Sequence, residues 1–278
     1  MTPAAEIEAA FEQRFGEHVA VAPGLSGLDE ILRIAGHRTH RRYREKAIDP
    51  GLLRLLCACA LSAPSKSDLQ QRDIVIIRDR TLRDAIAALL PDMPWIGTAP
   101  AFLVFCANGR RLPALAQLRG KPFPNDHLDL LFNAVGDAAI ALSTCISAAE
   151  AMGLGCCPIS VIRDHAARVS ELLALPERVI PFAGLCIGWP ADDPGIAPRL
   201  PLAMTLHIDR YDDADFAPKL AAYDARRETE RPCAGQRDTA RWGQASTYGW
   251  SEDKARQYAE PQRADFGAFV RARGFNLD

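Results

Sequence analysis

The sequence feature that most constrains the fold is a long apolar segment near the middle of the chain. Residues 127–152 predict one helix that stops before Gly153, and no charged residue lies between Asp137 and Glu150. A helix that is apolar on all sides must be nearly enclosed by other elements. Its many small residues permit close helix packing. The segment therefore predicts a central core helix, or alternatively a core helix that also forms the interface of a dimer.

Shorter segments on both sides of this helix predict an alternation of strands and helices. Apolar runs rich in β-branched residues predict strands, and amphipathic runs predict helices. The predicted strands are 73–79, 101–107, 156–162 and 179–189, and the predicted helices are 4–15, 28–36, 50–64, 81–90, 164–175 and 262–273. The charged segment 219–263 is predicted to be irregular. Few strands with interspersed helices predict an α+β sandwich, a small mixed sheet with helices on both faces.

Composition excludes several classes of function. The 278 residues include 33 Lys and Arg against 35 Asp and Glu, and this balance argues against a nucleic-acid partner. The N-terminus has no apolar segment typical of a secretory signal, and no uninterrupted apolar tract reaches the length of a membrane span. No G-x-G-x-x-G turn follows an early strand, which disfavours a dinucleotide-binding Rossmann domain. We therefore expect a cytoplasmic protein that binds neither nucleic acid nor membranes.

The eight cysteines lie mostly inside apolar runs. They form no C-x-x-C pair, and none has a histidine at metal-binding spacing, so no metal site is expected. Buried free thiols behave as small apolar side chains. We expect reduced core cysteines, with thiol redox chemistry at the vicinal pair Cys156 and Cys157 as the alternative.

A first polar cluster runs from Gly36 to Tyr43 and contains four arginine or histidine side chains in the segment HRTHR. Arg38 and Arg41 are three residues apart, so that on a helical turn they would share one face. Two guanidinium groups and the Thr39 hydroxyl would suit a phosphate monoester. The alternative is a solvated basic surface.

A second polar cluster is the segment SAPSKSDLQ, residues 62–70. A helix that ends at Pro64 leads into a hydroxyl-rich loop and then into a strand. Such loops present hydroxyls and backbone N–H groups to polar ligands. The alternative is an ordinary helix-to-strand connection.

Together the two clusters resemble the FMN-dependent nitroreductase family. H-R-T-x-R is followed about 25 residues later by S-A-P-S-x-S-x-L-Q. The segments GLCIGWPADDP, PRLP and WSEDKARQY are similar to the branch of oxygen-insensitive NADPH nitroreductases and NADPH–FMN flavin reductases. The resemblance covers residues 28–278 and leaves 1–27 as an N-terminal extension. It implies the nitroreductase-like α/β sandwich, with a small mixed or antiparallel sheet, in an intertwined homodimer.

The resemblance also implies a set of cofactor-binding residues. The segment 37–41 and Arg199 would hold the FMN phosphate and the polar side of the ring, and 158–161 would lie against its N5 edge. Ser67 and Arg263 would line the substrate pocket, the latter from a partner subunit. The residues expected to bind FMN are His37, Arg38, Thr39, Arg41, Ser65, Lys66, Ser67, Gln70, Pro158, Ile159, Ser160, Val161 and Arg199.

The nucleotide preference rests on a cluster of arginines. Five arginines lie between residues 226 and 241, and Arg231 and Arg237 are the candidates for the 2′-phosphate of NADPH. The alternative is a solvated charged loop.

Three positions depart from the branch pattern. Asp68 stands where Asn is common, Ser160-Val161 where Gly-Gly is usual, and Ala197 where a lysine usually precedes P-R-L-P. Lys66 or Arg41 would be needed to compensate the charge of Asp68. The loss of a cation at 197 would change the electrostatics near the flavin.

The resemblance implies an FMN-dependent NAD(P)H oxidoreductase with ping-pong kinetics, in which NADPH is the co-substrate and a nitroaromatic, quinone or flavin is the acceptor. Two alternatives stay open. One is a reductase or dehydrogenase dedicated to a single metabolite, and the other is a non-catalytic flavin-binding or storage protein.

Overall fold

The chain forms thirteen α-helices and four β-strands, and the computed structural model describes all of residues 1–278. The strands are β1 (Arg72–Ile76), β2 (Ala101–Asn108), β3 (Gly155–Ile159) and β4 (Val179–Gly188). The helices are α1 (Pro3–Phe15), α2 (Leu28–Ala35), α3 (Pro50–Leu61), α4 (Arg80–Ala88), α5 (Trp95–Thr98), α6 (Arg111–Leu118), α7 (Leu128–Ala151), α8 (Ala166–Leu172), α9 (Leu202–Thr205), α10 (Phe216–Glu230), α11 (Thr239–Trp242), α12 (Trp250–Tyr258) and α13 (Phe266–Ala272).

The helices and strands group into two compact units. The first unit comprises residues 1–38 and 195–262, and the second comprises 39–194 and 263–278. The predicted extension 1–27 is therefore part of the first unit, in which α1 packs against α2. The same unit contains the packed pair α10 and α12.

The second unit is built around a four-stranded sheet in the order β1-β2-β4-β3, with every neighbouring pair antiparallel. Every residue of β2 is buried, as expected for a central strand of continuous apolar sequence. On one face of the sheet, α3 and α7 cover an apolar cluster that includes Leu103, Phe105 and Leu185. On the other face, α4, α5 and α8 cover a second cluster that includes Phe102 and Val104. The expected α+β sandwich is confirmed.

The apolar helix α7 is only half enclosed within a single chain. Its buried face includes Asp137, Ala138 and Cys145, whereas Phe132 is 74% exposed and Ile140 is 41% exposed. Near-complete enclosure was expected, and this prediction is wrong for the isolated chain. The helix α7 is long and apolar enough to cross a membrane, but core helices of soluble proteins can have the same length and composition.

Two predicted elements differ from the structure. The strand predicted at 156–162 ends at Ile159, and residues 160–165 form a 3-10 helix. The segment 219–263, predicted to be irregular, contains most of α10 and all of α11 and α12. Because α10 buries only Tyr223, it lacks the apolar periodicity that reveals a helix, although its Ala, Glu, Arg and Lys residues favour helix formation.

Candidate functional site

The hydroxyl-rich loop 65–70 is held by one buried carboxylate on α7. Asp137 is 3% exposed, and its carboxylate accepts hydrogen bonds from the Ser65 hydroxyl at 2.7 Å and from the Gln71 backbone N–H at 2.7 Å. It also accepts a longer bond from the Lys66 N–H and pairs with the buried Arg72 guanidinium at 3.3 Å. A carboxylate with several donors tolerates burial because its charge is neutralised and its lone pairs are used. The core helix therefore fixes the loop.

The backbone of this loop is strained at three residues. Ser67, Asp68 and Gln70 have φ values of 48°, 57° and 52°, in the left-handed region that non-glycine residues seldom adopt. The Gln70 N–H donates to the Ser65 hydroxyl at 2.7 Å, which helps to hold this conformation. Such strain clusters at functional sites, where the surrounding structure compensates for it. It turns the Lys66 and Ser67 side chains toward solvent, where both are exposed.

The charge of Asp68 is not compensated by the two cations named from the sequence. The Gln70 side-chain amide donates to Asp68 at 3.0 Å, whereas the Lys66 ammonium lies 3.4 Å from Asp129 on α7. The pKa of Asp129 is lowered, chiefly by the hydrogen bond from Asn133 and then by Lys66. Lys66, one of the two cations that could compensate Asp68, therefore pairs with a different carboxylate.

The segment that begins at Thr39 runs along the outer edge of β3. Thr39 forms a parallel bridge with Cys156, and the His40 N–H donates to the Cys156 carbonyl oxygen at 2.9 Å. A side chain at Gly155 would put its Cβ 2.6 Å from the His40 ring, so this close approach requires glycine. The Tyr43 hydroxyl donates to the His40 carbonyl at 2.7 Å. His40 is thus a buried structural residue.

Arg41 leaves this segment as an exposed cation. Its guanidinium carbon lies 5.5 Å from the centroid of the Trp95 ring, and it forms no ion pair with a carboxylate. The next residue, Arg42, lies 3.7 Å from Asp192. The two neighbouring arginines therefore differ, because only Arg41 keeps its charge available for an anionic ligand.

The predicted flavin-edge segment 158–161 lies at the end of the same strand. Pro158 and Ser160 are exposed and Ile159 is buried, which is the alternation of a strand that ends at residue 159. The 3-10 helix that follows carries Asp164, which forms an ion pair with Arg263 of the same chain. Arg263 adopts a φ of 53°. Within the second unit, β3 is thus bonded to Thr39 and leads into residues 158–161, and the 3-10 helix that follows β3 pairs with Arg263. Arg41 lies two residues after Thr39 in the segment that is bonded to β3.

In the first unit, a buried arginine from the N-terminal extension ties two predicted phosphate-binding segments together. The Arg14 guanidinium donates to the carbonyl oxygens of Ala35 at 2.8 Å, His37 at 2.6 Å and Ala197 at 3.3 Å. The Arg199 N–H donates to the Arg14 carbonyl at 2.6 Å. His37 and Arg38 are half-buried, and Arg199 is exposed. The extension therefore orders the backbone on either side of these residues.

The two arginines proposed for the nucleotide 2′-phosphate have different surroundings. Arg237 donates through Nε to Asp253 at 2.8 Å, and Asp253 also accepts from the Tyr248 hydroxyl at 3.0 Å. Arg231 is half-buried and follows the last residue of α10. The guanidinium of Arg237 is thus already engaged by a carboxylate.

The cysteines are all free thiols, and six of the eight are buried. Burial raises the pKa of Cys156 well above its ordinary value, and it raises the pKa of Cys145 to about 12. Burial also raises the pKa of Cys157, although the nearby Arg41 opposes the shift. Nucleophilic and redox thiols act as thiolates, so these pKa values disfavour redox chemistry at the vicinal pair. No group of three or more His, Cys, Asp or Glu side chains is arranged to hold a metal ion.

Two residues that organise these segments, Asp137 and Arg14, are not among the predicted site residues. The sequence does mark Asp137 as unusual, because it is the one charge on an otherwise apolar stretch of α7 and a lone buried charge requires a partner. No sequence pattern marks Arg14, since its acceptors lie 21, 23 and 183 residues away along the chain.

Comparisons with known proteins agree with the fold and the motifs. Residues 34–189 match the Nitroreductase family, and residues 197–278 match the Nitroreductase family C-terminal domain. The chain is 36% identical over 197 residues to the oxygen-insensitive NADPH nitroreductase of Salmonella typhimurium, covering 70% of this chain and 79% of that protein. It is 34% identical over 224 residues to the FMN reductase [NAD(P)H] of Bacillus subtilis, covering 78% and 90%.

A solved structure extends this similarity to the backbone. The structure of NfrA2 from B. megaterium superimposes with a TM-score of 0.81 at 31% identity, covering 90% of this chain and 99% of that one. The family match includes both polar clusters, the core helix α7 and all four strands. The chain belongs to the nitroreductase family.

Proposed function

We propose that this chain is an FMN-dependent NAD(P)H oxidoreductase that passes two electrons to nitroaromatics, quinones or flavins. The names of its relatives support this proposal, since one is an oxygen-insensitive NADPH nitroreductase and another an FMN reductase that uses NAD(P)H. We further propose a cytoplasmic homodimer that uses small-molecule electron acceptors and binds neither membranes nor nucleic acid.

The observation that carries the proposal is the strained loop 65–70. The buried carboxylate of Asp137 holds a loop in which three non-glycine residues have positive φ. This loop exposes the Ser67 hydroxyl beside Lys66. Strain of this kind persists when a binding site needs the geometry it produces. The loop therefore has the character of a ligand-binding element rather than of a simple connection.

The residues present fit FMN. A phosphate monoester needs cations that no carboxylate neutralises, and Arg41 is such a cation. The polar ring edge of a flavin needs hydroxyl and N–H donors, which the loop 65–70 and the exposed end of β3 supply. In the first unit, His37, Arg38 and Arg199 are the further phosphate-binding candidates.

The chemistry that bound FMN supplies is two-electron hydride transfer between NAD(P)H and an acceptor. Ser67 and Lys66 orient the ring and its substrates from the loop. The backbone N–H groups of Ser160 and Val161 would serve as donors. They are present although these two residues stand where Gly-Gly is usual. Arg263 would line the substrate pocket, where its guanidinium is paired with Asp164 and its other N–H groups would serve as donors. Fixed donors of this kind lower the barrier by stabilising charge that develops during transfer.

We propose that NADPH is preferred over NADH. Arg231 is the stronger candidate for the 2′-phosphate, because Arg237 already pairs with Asp253. The preference is tested by comparing the KM values for NADPH and NADH in the wild type and in the Arg231→Gln variant. A selective rise in the KM for NADPH supports the assignment, and an equal change in both contradicts it.

The homodimer is proposed from the exposed apolar face of α7. Leu128, Phe132 and Ile140 are 51%, 74% and 41% exposed, which is unusual for such large apolar side chains on one helix. Light scattering at micromolar concentration should give twice the mass of the chain. A monomer that retains FMN would contradict the proposal.

Two alternative functions make different kinetic predictions. A flavin storage protein would bind FMN but would not turn over, and a dedicated reductase would accept one metabolite only. Initial rates should be measured with NADPH and a panel of nitro compounds, quinones and flavins. The proposal predicts turnover with several acceptors and parallel double-reciprocal lines, because NAD(P)H and acceptor use one place in turn. Turnover with none, or with only one, would favour an alternative.

A further inference from the structure

The strained loop 65–70 carries a negative charge that no cation of the chain neutralises. The Asp68 carboxylate is exposed, and the residue has a φ of 57°. Its hydrogen-bond donor is the side-chain amide of Gln70 at 3.0 Å, a neutral group, and no lysine or arginine forms an ion pair with it. The loop therefore presents an uncompensated carboxylate next to the exposed Ser67 hydroxyl.

The two cations that adjoin the loop are engaged by other carboxylates. The Lys66 ammonium lies 3.4 Å from Asp129. The guanidinium of Arg111, the first residue of α6, pairs with Asp73 at 2.7 Å. Each cation thus has a counter-charge of its own, and neither is left to neutralise Asp68.

The charge of Asp68 is also restrained in its position. Gln70, which donates to it, has its backbone N–H bonded to the Ser65 hydroxyl at 2.7 Å, and its carbonyl oxygen accepts from the Arg111 guanidinium. The Ser65 hydroxyl is bonded in turn to the buried Asp137 carboxylate at 2.7 Å. A charge held in this way does not turn away from an approaching ligand, so that it repels a ligand of like charge at close range.

We propose that Asp68 makes the substrate pocket select against anionic electron acceptors and in favour of neutral ones. The inference rests on the proposed function, in which the loop 65–70 lies beside the flavin ring and its substrates. Repulsion of the wrong ligand is one of the two ways in which a site discriminates. In a solvated site, one like charge at contact distance weakens binding roughly fivefold. The favoured acceptors are therefore uncharged nitroaromatics and quinones, rather than their carboxylate or sulfonate derivatives.

Two acceptors of nearly equal shape test the proposal, the anion para-nitrobenzoate and the neutral para-nitrobenzamide. Asp68→Asn removes the charge but keeps an acceptor oxygen for Gln70, and Asn tolerates the left-handed conformation. Asp68→Glu keeps the charge. Asp213→Asn is the matched control, because it removes the same charge at an exposed position whose side chain makes no hydrogen bond. The first readout is kcat/KM for each acceptor, which in a ping-pong reaction does not depend on the half-reaction with NADPH.

The selectivity ratio, kcat/KM for nitrobenzamide divided by kcat/KM for nitrobenzoate, should fall roughly fivefold in Asp68→Asn, because only the anion reacts faster. Asp68→Glu and Asp213→Asn should keep the ratio of the wild type. Added salt screens the charge, so that it should lower the ratio in the wild type but not in Asp68→Asn. The salt dependence of the wild type needs no variant, and it carries the test if Asp68→Asn does not fold.

The second readout is binding without turnover. A ligand that binds the folded state raises the melting temperature, and this rise is measured with benzoate and with benzamide at constant ionic strength. Benzamide should stabilise the wild type and Asp68→Asn alike. Benzoate should stabilise Asp68→Asn more than it stabilises the wild type.

The proposal is overturned if Asp68→Asn changes kcat/KM for both acceptors by the same factor, because the residue would then shape the loop without selecting on charge. It is also overturned if the selectivity ratio stays unchanged in this variant, or if salt leaves the ratio of the wild type unchanged. A wild type that oxidises NADPH with neither acceptor would refute the proposed function instead. The melting experiment would still decide the role of Asp68, since equal stabilisation by benzoate in the wild type and in Asp68→Asn, or none in either, would overturn it.

Discussion

The guanidinium of Arg14 donates a 2.6 Å hydrogen bond to the carbonyl oxygen of His37, the first residue of the predicted phosphate-binding motif. The same side chain, which is 7% exposed, also holds the carbonyl of Ala35. The N-terminal extension, which contains α1, thereby fixes a predicted binding segment that precedes β1 in the sequence.

Replacing Arg14 should therefore affect both stability and cofactor retention. Arg14→Gln should lower the free energy of unfolding by about 2–4 kcal/mol, because it leaves buried carbonyl oxygens without donors. FMN should dissociate more readily on dilution, since residues 35–37 lose their anchor. Urea unfolding and flavin absorbance after dilution measure the two effects. The control is Arg33→Gln, which removes an exposed ion pair to Glu30 and should cost under ~1 kcal/mol. Equal losses in both variants would contradict the role of Arg14.

Asp137 should be the residue on which the loop 65–70 depends. Asp137→Asn should destabilise the protein by about 3 kcal/mol, because it breaks a buried pair with Arg72 and replaces an acceptor of the Ser65 hydroxyl. The KM for NAD(P)H should rise as the loop loses its conformation. Asp92→Asn provides the control, since Asp92 is exposed and its side chain makes no hydrogen bond or ion pair. If unfolding and kinetics show Asp137→Asn to be as mild as the control, the loop is held in some other way.

How far the sequence predicts this fold depends on how strong each local signal is. The helix predicted at 127–152 is observed as Leu128–Ala151, because a long apolar run with small residues has few alternatives. The strand predicted at 101–107 is observed as Ala101–Asn108 for the same reason. The prediction that β3 continues to residue 162 is wrong, because β4, the one strand that pairs with β3, does so only over Gly155–Ile159, and a 3-10 helix begins at Ser160.

The sequence predicts the parts of the candidate site that consist of consecutive residues, but not the parts that depend on contacts between distant residues. The polar side chains of the segments 37–41 and 65–70 are themselves the signal that identifies both segments. The contacts of Arg14 with Ala197 and of Asp137 with Ser65 join residues 183 and 72 positions apart, and no local pattern reports such pairs. The pairing of Arg237 with Asp253 likewise changes which arginine is the better nucleotide ligand.

Arg38 and Arg41 should each anchor the FMN phosphate. Arg38→Ala or Arg41→Ala should weaken FMN binding tenfold or more, because a charge-assisted phosphate contact contributes about 1.5–3 kcal/mol. Arg42→Ala is the control, since its side chain is 80% exposed and lies 3.7 Å from Asp192. FMN occupancy after dilution and gel filtration measures the effect. Full occupancy in the Arg38 and Arg41 variants would show that the phosphate binds elsewhere.

Asp253 should give the first unit a pH-dependent stability. Burial opposes its ionisation, but hydrogen bonds from Lys254 and Tyr248 and the charges of Lys254 and Arg237 outweigh burial and lower the pKa of Asp253. A carboxyl group whose pKa is lowered by folding stabilises the protein above its unfolded pKa of about 3.9, and this contribution disappears as the pH falls through the folded value.

The destabilisation caused by Asp253→Asn should therefore be constant between about pH 7 and 5 and should shrink below about pH 4. Urea unfolding of wild type and variant across this range measures the difference. Asp213→Asn, at an exposed position whose side chain makes no hydrogen bond, should have no effect at any pH. A difference that grows on acidification would contradict the direction of the pKa shift.

The most direct test of the proposed activity is the reaction of the purified protein with NADPH in the absence of oxygen. The protein should be yellow, with one FMN per chain, and one equivalent of NADPH should bleach its visible flavin absorbance. A nitroaromatic compound or a quinone added afterwards should restore the absorbance within a turnover time. A protein that binds FMN but is not bleached, or is bleached and not reoxidised by any acceptor, would contradict the assignment as an NAD(P)H oxidoreductase.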